Sequence, residues 1–251
     1  MDPTAASGRA DSSAFTERQR ADAYPAGIDD HYWLLSRNRV VLAALRAAGA
    51  EGPVLDVGCG PGTTVRYLRR HGLECTGADV AMYEPIVPTP AGVIRYGVDA
   101  FTLPLEERAR VRTVLLLDVL EHLEEPSEFV RRCVDAFPAL GHLLITVPAR
   151  QELWSNYDTY YGHRRRYDRA GATAVCQRAG VAVVSGGYFF HALYPVLALQ
   201  RLFAVDRAVE FAPVRHRWWH RLVAAVLYRD GVWLPGALPG SSLLLIARPR
   251  V

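Results

Sequence analysis

The chain has 251 residues, 50% of them hydrophobic and 22% charged, with a formal net charge of +3. That is enough to bury the core of one large domain or a domain with an insert, and it excludes a disordered tail, a collagen-like repeat and a disulfide miniprotein. The mild basic surplus makes no electrostatic case for a nucleic-acid binder, and because all 29 basic side chains are arginine, Schiff-base chemistry at a lysine and a lysine-finished phosphate loop are closed to it.

Residues 1–23 are rich in Ala, Ser, Asp and Arg and hold no apolar core for a secretion signal. The stretch 1–28 therefore reads as a flexible segment that orders on meeting a surface, and 29–251 as a single domain. A helical pattern over 29–48 repeats Trp33, Leu34, Val40, Val41, Leu42 and Leu45 at three- to four-residue spacing and stops at Gly49. Short apolar runs then alternate with helical ones. Strands are expected at 53–57, 73–79, 92–96, 111–117 and 143–147, with another beginning at 181–185 and a last one at 243–247. Helices are expected at 63–71, 127–137 and 169–179.

This alternation implies an α/β fold, a doubly wound parallel sheet covered on both faces, which binds its ligand at the carboxyl ends of its strands. Two segments, about 149–167 and 188–241, break the alternation and follow strands on that edge, as the roof of a pocket would. The four cysteines lie far apart without a C-x-x-C pair, so neither a disulfide framework nor a zinc ribbon is expected. The longest apolar stretch, 188–199, is interrupted by His191 and Pro195 and falls short of the ~20 residues a bilayer span needs. The expectation is a soluble, cytoplasmic, reduced protein.

The segment Val54-Leu55-Asp56-Val57-Gly58-Cys59-Gly60-Pro61-Gly62 runs a buried strand through three alternate glycines into a helix. Glycine permits turns and close backbone approaches that a Cβ forbids. A dinucleotide fingerprint would need glycine at 63, where Thr63 stands, and the Asp56 carboxylate suits a cationic ligand better than a pyrophosphate. Asp79 closes the second strand, Asp99 and Ala100 follow the third, and Asp118-Val119-Leu120-Glu121-His122-Leu123 follows the fourth. Taken singly, Asp79 and Asp99 also suit helix caps.

These four motifs, in this order, resemble those of class I S-adenosylmethionine (SAM)-dependent methyltransferases of the small-molecule, quinone-biosynthesis-like type. The resemblance implies a Rossmann-like seven-stranded sheet with the last strand antiparallel, and SAM as cofactor. It places Asp56, Gly58, Gly60, Gly62, Asp79, Val80, Asp99, Ala100 and Asp118 at the cofactor, with Asp79 on the ribose hydroxyls and Asp99 on the adenine amino group. A subset of that family carries a stretch similar to His31-Tyr32-Trp33-Leu34-Leu35-Ser36-Arg37, in which Arg37 would pair with the methionine carboxylate; the alternative is a helix with Trp33 in the core and Arg37 solvated. The same subset has a counterpart of Trp154-Ser155-Asn156-Tyr157-Asp158-Thr159-Tyr160-Tyr161-Gly162-His163-Arg164-Arg165-Arg166-Tyr167.

Aromatics beside three arginines make a pocket roof with flat walls and anion-reading donors. Trp33, Trp154, Tyr160, His163, Arg165, Arg166 and Tyr167 are the expected substrate contacts, with Arg164 solvated. His122 and His163 are the candidate general bases, since histidine titrates near neutrality. No metal site is expected, because Glu121 and His122 supply only two adjacent ligands. Methyl transfer to a hydroxyl of a phenolic, sugar or secondary metabolite is the first functional expectation. C-methylation of an isoprenoid diphosphate and non-catalytic SAM binding are the alternatives. The partners expected are a small molecule, not nucleic acid. The basic amphipathic stretch 214–228, with Trp218, Trp219, Leu222, Val223, Val226 and Leu227, fits a sheet-edge or subunit contact or a membrane interface.

Overall fold

The computed structural model describes residues 15–50 and 52–250. In chain order its elements are α1 (Glu17–Ala23), α2 (Tyr32–Ala48), β1 (Val54–Val57), α3 (Thr63–Arg70), β2 (Cys75–Asp79), β3 (Ile94–Tyr96), α4 (Leu105–Arg108), β4 (Thr113–Leu117), α5 (Pro126–Ala136), β5 (His142–Pro148), α6 (Asn156–Tyr160), α7 (Arg169–Arg178), β6 (Val181–Phe189), α8 (Leu193–Leu202), α9 (Arg217–Trp233) and β7 (Ser242–Pro249). The sheet runs β3-β2-β1-β4-β5-β7-β6, parallel from β3 to β5, and β7 lies antiparallel between β5 and β6. Each expected strand and major helix is present, with ends shifted by a few residues.

The winding reverses between β1 and β4, which opens a crevice at their carboxyl ends. Both faces of the sheet are covered. On one side α5 and α7 bury Val130, Cys133, Val175 and Cys176 against Leu116, Leu143 and Leu245; on the other, α2, α3 and α9 bury Val41, Leu45, Leu68 and Leu227 against Leu115, Leu144 and Ile246. This two-sided burial explains why β4 reads Thr-Val-Leu-Leu-Leu with no polar alternation. Pro126 opens α5 at its first position, where a missing N–H leaves no bond unmade.

Two expectations are corrected. Within the segment expected to be flexible, residues 15–28 form α1 and a following turn, while residues 1–14 lie outside the described residues. Thr16 caps α1 through a reciprocal capping box with Gln19, and the helix is held to the roof by a bond from the Gln19 amide to the Tyr160 carbonyl and one from the Tyr160 hydroxyl to Asp22. The second insert starts after Phe189 rather than at 188, because β6 continues past a bulge at 183–185 in register with β7.

Gly77 of β2 sits where the strand passes under the glycine turn: a Cβ there would lie 2.7 Å from Cys59 Sγ and 2.9 Å from Val65 Cγ2. Gly77→Ala is expected to cost on the order of 1–3 kcal/mol by overpacking, seen as a lower urea midpoint with an unchanged m value.

Candidate cofactor pocket and active site

β1 ends in a turn whose three glycines, Gly58, Gly60 and Gly62, have φ of 74°, 54° and 79°, conformations that disfavour other residues. Gly58 is exposed at the crevice. Gly60 lies beneath Tyr24, whose hydroxyl oxygen would be 2.9 Å from any Cβ there. Around this turn three strand tips present acids. Asp56 is buried within β1 with one oxygen unpartnered. Asp79, also buried, accepts the N–H groups of Gly60 and Ala81, each at 2.8 Å. Asp118, just past β4, has φ of 57° and accepts from Arg37 at 2.5 Å and from the Thr146 hydroxyl at 3.2 Å.

Arg37 is buried, as the cofactor-facing reading of α2 requires, and it also donates to the Thr64 hydroxyl at 3.1 Å. Its guanidinium lies 5.1 Å from the Trp33 ring centroid, and its Nε has no partner. Asp118 holds this guanidinium directly, and its charge also reaches Asp56. Burial pushes Asp56 up to about 7 despite the Arg37 charge that lowers it, and Asp79 and Asp118 push it further. Such a pocket has an excess of negative charge that a cationic ligand would offset.

The remaining expected contacts are less uniform. Asp99 is a cap, accepting the Phe101 N–H at 3.0 Å, with Arg132 3.5 Å from its other oxygen; its carboxylate is partly exposed. Ala100 is buried, and Val80 stands exposed beyond Asp79. Trp154 is half-buried before α6. Tyr160 gives its hydroxyl to Asp22 of α1.

The arginine run holds the roof together. Arg164 is exposed and pairs with Glu124 at 2.9 Å, and Arg165 donates to the carbonyls of Leu123 and Glu124, both at 3.1 Å. Arg166 and Tyr167 are buried as expected, but Arg166 is committed to Asp158 (2.9 Å) and the Ala149 carbonyl (3.1 Å), and Tyr167 to the Leu120 carbonyl (3.0 Å). Arg166 and Tyr167 thus spend donors on the protein itself, whereas Arg165 spends only Nη2, because the carbonyls of the turn after β4 are satisfied there.

Asp158 is buried in α6, a position the motif alone does not assign. It accepts from His163 Nδ1 at 2.8 Å as well as from Arg166 and the Ser155 N–H. Burial pushes its pKa up, but the hydrogen bond from His163 and the Arg166 charge outweigh that and hold the carboxyl well below the usual range. Beside an ionised Asp158 the His163 Nδ1 is the donor, so in the neutral form of the ring Nε2 is the acceptor.

The His163 ring meets that of His122 edge-on at 4.9 Å, and Phe15 caps His122 on another side at 5.5 Å. Burial, with the neighbouring His163, pushes His122 down to about 4. Glu121 is fully buried with both carboxyl oxygens unpartnered, and burial and Asp118 raise its pKa well above the ordinary value. His163 arrives from the roof, so Glu121, His122 and His163 bring ligand-type atoms within 4.8 Å of one another, one donor more than adjacency in sequence supplied.

Compared with known proteins, residues 31–186 match the family model described as a methyltransferase domain. The chain belongs to the methyltransferase-domain family. SAM is the methyl donor of that family. The ubiquinone biosynthesis O-methyltransferases of Yersinia pestis and Yersinia pseudotuberculosis are 30% identical over 112 residues, which is 41% of this chain and 46% of theirs. The chain thus spans about half the length of the curated relatives it matches.

Among solved structures, the 1,6-didemethyltoxoflavin-N1-methyltransferase of Burkholderia thailandensis, bound to 1,6-didemethyltoxoflavin and S-adenosylhomocysteine, superposes with a TM-score of 0.54 at 17% identity, covering 92% of this chain and 87% of that one. The (4+2)-cyclase SpnF superposes at 0.51 and 18% identity, covering 86% and 81%. At these identities the likeness is one of fold.

The donor set of this methyltransferase-domain pocket fits SAM: an open glycine turn, the unpartnered Asp56 oxygen and an acid excess match a ligand carrying sulfonium and ammonium charge.

His122 also has a pH signature. An unfolded histidine titrates near 6.5 and this one near 4, so the unfolded chain binds the extra proton first, and the stability due to neutral His122 is lost as pH falls from about 6.5 to 4. Urea unfolding at about pH 7.5 and pH 4.5 is expected to show wild type losing on the order of 1–2 kcal/mol more than His122→Gln.

Proposed function

We propose that this chain transfers the methyl group of SAM to a hydroxyl of a small molecule such as a phenolic, a sugar or another secondary metabolite. The observation that carries this reading is the set of acids at three adjacent strand tips around the glycine turn. In it, Asp79 would accept the two ribose hydroxyls, beside the Gly60 and Ala81 N–H groups that already fix its orientation. Arg37, whose Nη1 and Nη2 already hold Asp118 and Thr64, would offer its unpartnered Nε–H to the methionine carboxylate, and Asp56 and Asp118 would face the cationic groups. Asp99 and Ala100 border the adenine side by resemblance, and Val80 lies beside the ribose acid. Bound SAM supplies an electrophilic methyl group.

The chain's own part is alignment, exclusion of water and management of one proton. A hydroxyl acceptor must lose its proton as the methyl is taken, and His163 is the residue placed to hold it at Nε2. Asp158 fixes the ring's tautomer and orientation through Nδ1. His122, kept neutral by burial, packs against that ring and steers its approach. Trp33 and Trp154 supply flat apolar walls, and Tyr160 anchors α1 across the roof. The commitment of the buried Arg166 to Asp158 and the Ala149 carbonyl favours a hydroxyl compound over an isoprenoid diphosphate, which would need those donors free. The name of the ubiquinone relatives supports oxygen as the acceptor atom.

Calorimetry is expected to show Asp79→Ala weakening SAM binding by at least about tenfold, through loss of charged acceptors for two hydroxyls. His163→Ala should leave SAM affinity within about twofold while lowering transfer to a hydroxyl acceptor by roughly 10²–10⁴. With labelled SAM and a panel of phenols, sugars and isoprenoid diphosphates, label on a carbon chain would overturn the hydroxyl assignment, and SAM binding without turnover on the panel would favour a cofactor-binding protein.

A further inference from the structure

The outward faces of α8 and α9 have no partner among the described residues. The inner side of α9 is spent on α2 and β6: Ala224 and Leu227 are buried, and Gly231 packs beside Phe189 and Val40. Its outer side carries Trp218, Leu222, Val226 and Trp233 at three- to four-residue spacing, and α8 adds Leu202 with Phe203 just beyond it. These six are between 51% and 76% exposed. Scattered exposed leucines are ordinary, but three exposed aromatics and three large aliphatics on two neighbouring helices are not.

We propose that α8 and α9 dock this chain on an anionic lipid surface. Charge identifies the occupant. The segment 193–238 holds six arginines against Asp206, Glu210 and Asp230. Arg207 turns inward onto the Tyr157 ring and Arg217 and Arg221 pair at the surface with Asp30, while Arg201, Arg215 and Arg229 are exposed and Asp230 is committed to the N–H groups of His191 and Ala192. Arg201 and Arg215 are exposed at the edges of the apolar stripe, and Arg229 lies within it, 5.6 Å from the Trp233 ring centroid. Arginine and tryptophan together suit the boundary between headgroups and acyl chains, where the apolar body sinks and the cation meets phosphate.

A second copy of the chain suits it less. A two-fold contact would bury a patch of net positive charge against its own copy, which like-charge repulsion opposes. No helix among the described residues is long and apolar enough to cross a membrane, so the contact lies along the surface. β6 and β5 are both antiparallel to β7, so α8 leaves the sheet at the same edge as the glycine turn. Docking would therefore hold the pocket edge close to lipid. This proposal stands independently of which acceptor is methylated.

Flotation of the full chain with vesicles of phosphatidylglycerol and phosphatidylcholine tests it. Wild type is expected to float with the mixed vesicles. It should float at least about tenfold less with phosphatidylcholine alone or in molar salt, which screens the charge. A triple variant, Phe203→Ser, Trp218→Ser and Trp233→Ser, with an unchanged circular dichroism spectrum should lose at least about tenfold of the binding. Should that variant fail to fold, brominated phosphatidylglycerol vesicles provide the second readout, since the exposed tryptophans of wild type should be quenched. Absence of flotation, absence of quenching, equal flotation of the folded variant, or a lipid-free dimer in light scattering that the variant dissolves would each overturn the proposal.

Discussion

The ion pair between Arg37 and Asp118 is the interaction on which the pocket depends. It joins the middle of α2 to the tip of β4, and it places one guanidinium among carboxylates that would otherwise repel one another. Removing carboxylates from water is costly unless they are paired or hydrogen-bonded. Asp118 has its pair and Asp79 has two backbone N–H donors. Asp56 has neither for one of its oxygens, and burial holds its pKa near neutrality. The pocket is thus preorganised for positive charge at the cost of an incompletely satisfied acid, as binding sites commonly are.

A second layer is built on the first. Tyr24 lies over Gly60, and the α1 helix before it is tied to Tyr160 of the roof; the roof in turn is held by Arg166 on Asp158 and Tyr167 on Leu120. Asp158 serves both the roof's architecture and the orientation of His163. A change at Asp158 would therefore disturb the packing of the roof and the position of the His163 ring together.

Much of this was legible in the sequence because it is written locally. The apolar run of β4, the glycines at 58, 60 and 62 and the acids ending β2 and β4 obey short-range rules of period, turn and burial. What escaped was written in contacts between distant segments. Phe15 and Tyr24, two aromatics in an otherwise hydrophilic stretch to which no role was assigned, cover His122 and Gly60. The arginine run at 164–166 looked like a set of ligand donors, but which acceptors it meets depends on carbonyls more than 40 residues upstream for Arg164 and Arg165. The third member of the Glu121, His122 and His163 group was likewise invisible until the roof folded over.

The central claim is that an acid-lined pocket at the strand tips binds a cationic nucleoside, and SAM affinity as a function of pH tests it directly. A cation favours ionised Asp56, so binding releases its proton, and affinity should rise as pH approaches the Asp56 pKa of about 7 and level off above it. Between about pH 6 and pH 7.5, calorimetry should show wild type binding SAM roughly fivefold more tightly, with a flat response in Asp56→Asn. A dissociation constant that does not change over this range in wild type, or no SAM binding at either pH, would contradict the account.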